Sequence, residues 1–84
     1  MNEDLRLQNE VIELKMNEGD TASTKEIASW LGVKTPEAYN VCIELEKAGV
    51  LVKFGYKTRF GWEDVEHSSL QTNSLHWQKC VRDE

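Results

Sequence analysis

STKEIASWLGVKTPEAYNVCIELEKAG, residues 23–49, decides how this chain folds, because it reads as two short helices braced around one tight turn. Ser23 and Glu26 have capping-box spacing, in which hydroxyl and carboxylate each reach a backbone N–H left unpaired at a helix start. A helix is therefore expected from Thr24, burying Ile27, Ala28 and Leu31 and ending at Gly32, which can take the left-handed conformation that a reversal needs. Trp30 falls near its edge. Thr35-Pro36 then supplies a hydroxyl cap and a proline suited to a first helical turn. The next helix is expected to run to about Ala48, with Ala38, Val41, Cys42 and Leu45 as its inward stripe and Gly49 as its exit. Ala28 is small where the two helices cross, and the apolar residues on either side set the crossing angle.

Upstream, Leu5, Leu7, Val11, Ile12 and Leu14 recur at three- and four-residue spacings, which predicts an amphipathic helix over residues 4–18 stopped by Gly19. Residues 20–22 are expected to be extended, as a short strand. Downstream of Gly49 the period changes to two. Val50, Val52 and Phe54 share one face, Gly55-Tyr56 reads as a turn, and Thr58, Phe60 and Trp62 alternate with Lys57, Arg59 and Gly61. This predicts a β-hairpin with its aromatics, Trp62 included, toward the helices and its cations toward water. In residues 68–84, Leu70, Trp77 and Val81 fit one face of a short C-terminal helix. The expected fold is α+β, one domain over residues 1–84, with its core in 4–63 and an extension in 64–84.

At 84 residues the chain is near the lower limit for burying a core without a staple, so most large apolar side chains are needed for packing. Cys42 lies in an apolar helical stripe, and both it and Cys80 read as free thiols, which points to a reducing, cytoplasmic setting. There is no secretory signal pattern and no run of apolar residues long enough for a membrane span. The formal net charge is −5, distributed unevenly: −4 over residues 1–20, −1 over 21–49, +3 over 50–62 and −3 over 63–84. Lys53, Lys57 and Arg59 thus make up the one basic segment, and no acid interrupts it.

Helix, short strand, helix, turn, helix and hairpin, in that order, resemble the winged helix-turn-helix family over residues 5–62. Within it, ASWLGVKTPEA at residues 28–38 and LEKAGV at residues 45–50 look most like the small fimbrial-operon regulators of the Pap and Fae type. The resemblance implies a three-helix core with a two-stranded wing, double-stranded DNA as ligand, and action as a homodimer or beside a larger transcription factor. It places Lys34, Thr35, Glu37, Tyr39 and Asn40 on the groove-facing side of the third helix. Asn40 suits an adenine edge and Glu37 a cytosine amine, while Thr35 and Tyr39 suit phosphate or a thymine methyl. Lys53, Lys57 and Arg59 become the wing's phosphate contacts. The competing expectation is a winged-helix protein-interaction module, an adaptor or acidic inhibitor, in which the acidic first helix and tail contact a basic protein surface and DNA is not the ligand; Glu37, Glu44 and Glu63 are the acids that would interrupt a positive DNA-binding face.

Nothing in the chain suggests catalysis. No Gly-rich phosphate loop, nucleophile elbow or Ser-His-Asp order is present, and His67, His76 and Cys80 lack zinc-ligand spacing. Neither an enzyme, a cofactor, a metal nor a small-molecule ligand is expected.

Overall fold

The computed structural model describes residues 2–65 and 72–81. Three helices, α1 (Glu3–Lys15), α2 (Thr24–Leu31) and α3 (Thr35–Lys47), cover one face of a four-stranded antiparallel sheet. Its strands are β1 (Thr21–Ser23), β2 (Leu51–Thr58), β3 (Gly61–Glu63) and β4 (Leu75–Lys79), in the order β1-β4-β2-β3. No helix among the described residues is long and apolar enough to cross a membrane.

The local signals of the decisive stretch act as expected. Ser23 Oγ accepts from the Glu26 N–H at 3.0 Å while the Glu26 carboxylate accepts from the Ser23 N–H at 3.4 Å. Gly32 closes α2 at φ 69°, and the following Val33 N–H reaches back to the Ala28 carbonyl. The N-cap of α3 is Lys34 rather than Thr35, and it offers no side-chain bond, so Thr35 and Pro36 both lie inside the first turn. Helix α1 ends at Lys15, short of Gly19, because Asp20 accepts the Asn17 N–H and draws the chain into a turn that buries Met16.

The C-terminal segment departs from expectation. Residues 75–79 form a strand, not a helix, and that strand lies between β1 and β2. Its inward residues Leu75, Trp77 and Lys79 alternate at period two, opposite Tyr56, Lys53 and Leu51 of β2. Lys79, 5% exposed, holds Glu13 of α1 at 2.9 Å, and this cation at a core position hides the strand's alternation. Leu70, expected on the same helix, lies outside the described residues.

The hairpin is also longer than expected. β2 runs straight through Gly55 and Tyr56, and the reversal falls at Arg59-Phe60, with Thr58 opposite Gly61. Between Lys53 and Gly55 the register against β4 slips by one residue, so Phe54 is an extra residue in a bulge. The bulge inverts the phase of the strand. Leu51 and Tyr56 are buried, whereas Val52, Phe54 and Trp62, expected inside, are 42%, 46% and 47% exposed. Beyond Tyr56 the hairpin pairs only with itself, since the β4 ladder stops at Leu75.

Ile12, Ile27, Leu45, Leu51, Leu75 and Trp77 fill the space between helices and sheet, each stabilising the fold by about 1.5–3 kcal/mol. Cys42 is packed among them as a small apolar residue, and burial pushes its thiol up to about 12.

Candidate nucleic-acid interface

The surface of α3 that faces away from the core carries Lys34, Glu37, Asn40, Glu44 and Lys47, at helical spacing. All five are exposed, but Glu37 and Glu44 stand on either side of Asn40 in sequence. Lys47 is engaged locally, 3.4 Å from Glu44, whereas Lys34 forms no ion pair among the described residues. Thr35 and Tyr39 are half-buried. The Tyr39 ring lies 6.1 Å from Trp77 at a 59° tilt, so it packs toward β4 and belongs partly to the core. Asn40 sits at the opposite margin, where it shares a shallow cleft with Val41 and Glu44 of α3 and with Asp4, Leu5 and Gln8 of α1.

The three cations of the basic segment do not act alike. Lys53 points toward α3, 3.8 Å from Glu46, and its charge is largely balanced there. Lys57 and Arg59 stand at the self-paired end of the hairpin and are exposed. Lys57 Nζ lies 5.2 Å from the centre of the Trp62 ring, and the Arg59 guanidinium 5.9 Å from that of Phe60. Thr58 organises the turn between them, since its hydroxyl donates to the Gly61 carbonyl at 3.0 Å and accepts from the Phe60 N–H at 3.2 Å. Of the eight residues expected to contact DNA, Lys34, Glu37 and Asn40 therefore share one exposed stripe, Lys57 and Arg59 share the hairpin end, Lys53 and Tyr39 face other parts of the protein, and Thr35 is half-buried in the first turn of α3.

Sequence reasoning missed the side chains that hold the hairpin end. Phe54, Trp62 and His76 form a ring cluster on the solvent side of the sheet, with Trp62 centred 5.0 Å from Phe54 and 4.8 Å from His76. The available signal was Gly55, since a glycine inside a strand commonly marks a bulge and hence a change of face. Comparison of the chain with protein-family models, with curated proteins and with solved structures finds no match.

Proposed function

We propose that this protein is a small winged helix-turn-helix regulator of transcription that binds double-stranded DNA, with α3 in the major groove and the β2–β3 hairpin on the phosphate backbone. One observation carries the reading. β4 returns between β1 and β2, which backs the α2–turn–α3 pair with an antiparallel sheet and leaves a self-paired hairpin end bearing Lys57 and Arg59. Lys34 and Asn40 on the exposed stripe supply a phosphate contact and a base-edge contact. With Lys53 held by Glu46, about three phosphate contacts remain, for a salt slope of roughly −2.7 in log affinity against log salt. Such a chain binds weakly alone, so the proposal includes a second copy or a larger transcription factor at the operator.

Glu37 and Glu44 beside Asn40 favour a second reading, in which the same fold presents an acidic stripe to a basic protein surface and acts as an adaptor or inhibitor. A gel-shift titration against genomic fragments, at low and physiological salt, separates the two. On the DNA reading, Lys57→Ala/Arg59→Ala weakens binding to every fragment and flattens the salt slope by roughly two, while Asn40→Ala changes which fragments are preferred. Absence of saturable binding at low salt, with or without a captured partner, would leave the protein-interaction module.

A further inference from the structure

The α3 stripe and the helix-covered side of the sheet leave the sheet's opposite face unused. Antiparallel partners share a face, so the ladder sorts the side chains. Ala22, Leu51, Tyr56, Leu75 and Trp77 face the helices, whereas Thr21, Ser23, Val52, Lys57, Trp62, His76 and Gln78 stand on the other side. No paired position on that side carries an acid, in a chain whose net charge is −5.

The rings there are held in place. A Cβ at Gly55 would rest 3.6 Å from Trp62 Cε3, an ordinary packing distance, so the indole lies close beside the glycine. Phe54 and His76 flank it, their planes at 83° and 87° to it, and Lys57 adds a cation 5.2 Å from its centre. Phe54 and Trp62 nevertheless remain nearly half exposed, and Val52 extends the apolar surface beside them. Leaving such rings in water forgoes burial energy that an 84-residue chain can ill spare.

The geometry points to this face as a stacking site for the unpaired bases of single-stranded DNA. A fixed ring beside a cation, as Trp62 is beside Lys57, recognises any base through its π-surface while the cation meets the backbone. The apolar area is broken up by Lys57 and His76, which suits alternating bases and phosphates better than the continuous apolar core of a protein interface. A duplex keeps its bases stacked on one another and cannot offer their faces, so the strand must be unpaired. Besides Lys57 and His76, no side chain seen to border the indole among the described residues offers a polar group to a ribose 2′-hydroxyl: Thr21 and Gln78 lie along β1 and the far end of β4, and Ser23, beside His76, is engaged in the α2 capping box. This assigns the strand to DNA. The site shares Lys57 with the hairpin contact proposed above but uses none of the α3 residues, and it stands whether or not α3 reads a duplex.

Fluorescence titration of the full chain with oligothymidylate tests it. Trp77 is fully buried and the half-buried Trp30 lies on α2, away from this face, so stacking at Trp62 is expected to give saturable quenching that disappears in Trp62→Phe, where Trp30 emission remains as the unchanged background. With a labelled oligomer followed by anisotropy, Phe54→Ala and Trp62→Ala are each expected to weaken binding about tenfold, Trp62→Tyr to retain most of it, and Lys57→Gln to lower the salt slope by roughly 0.7. Circular dichroism identifies any alanine variant that fails to fold, and for such a variant the Tyr and Phe replacements carry the comparison. The assignment is overturned if oligothymidylate shows no saturable binding at low salt, if a duplex of equal length competes as well as the single strand, or if oligouridylate binds more tightly. It is equally overturned if sedimentation shows a dimer that Trp62→Ala dissociates and oligothymidylate does not, since a second copy would then own the face. Quenching by oligothymidylate without any duplex binding would defeat the winged-helix reading and leave this one intact.

Discussion

Thr24 is polar, fully buried and hydrogen-bonded through one oxygen to two distant groups. Its hydroxyl accepts from Trp77 Nε1 at 2.9 Å and donates to the Leu75 carbonyl at 3.0 Å, which ties the start of α2 to the inner strand β4. Removing the hydroxyl strands an indole N–H and a carbonyl in the core, and one such buried orphan costs about 1–3 kcal/mol. Thr24→Val, nearly isosteric, is therefore expected to destabilise the protein by about 2–3 kcal/mol. Thr24→Ser keeps both bonds, loses one methyl group and is expected to cost about 1 kcal/mol. Urea unfolding of the three proteins measures the difference, and a Val variant at least as stable as the Ser variant would refute the role given to this oxygen. Little of this is legible in the sequence. Thr24 and Trp77 are 53 positions apart, and a bond across that separation leaves no periodicity in either neighbourhood.

Elements built from local rules are the ones that sequence foretells. The capping box of α2, its glycine stop and the inward Ala38, Cys42 and Leu45 of α3 depend only on neighbours within a few residues, and all are found where the spacing puts them. The strands depend on partners. In β2 the inward positions are Leu51 and Lys53 before the one-residue bulge at Phe54 and Tyr56 after it, so no single alternation runs through the strand, and in β4 the inward Lys79 needs Glu13 of α1 to be tolerated. The candidate site divides in the same way: the exposed stripe of α3 follows from helical spacing, whereas the pairing of Lys53 with Glu46 of α3 depends on another element and leaves no local signal. Gly55 tests the strand account. An added Cβ would lie 3.1 Å from the Glu63 carbonyl, closer than ordinary packing allows, so Gly55→Ala is expected to push β3 outward and cost about 1–3 kcal/mol. Amide hydrogen exchange should then quicken in β3 far more than in β1, and equal protection of the two strands in wild type and variant would contradict the bulge geometry.

Across the whole molecule, charge decides which ligand α3 can meet. Lys57 and Arg59 are exposed at the hairpin end and Lys34 at the start of α3, but Glu37 and Glu44 lie on the exposed stripe between Lys34 and Lys47, within an overall charge of −5. A carboxylate about 8 Å from a phosphate in water opposes binding by about 0.5 kcal/mol, so the pair opposes it by about 1 kcal/mol. Glu37→Gln/Glu44→Gln keeps the shape of the helix and brings the net charge from −5 to −3. If α3 enters a DNA groove, this variant is expected to bind duplex about fivefold more tightly at low salt, with the advantage shrinking as salt screens it. Should the stripe instead face a basic protein, the same change weakens capture of that partner by a comparable factor and leaves DNA affinity unaltered. Parallel titrations of the variant and the parent, against duplex DNA and against the captured partner, give opposite signs for the two readings.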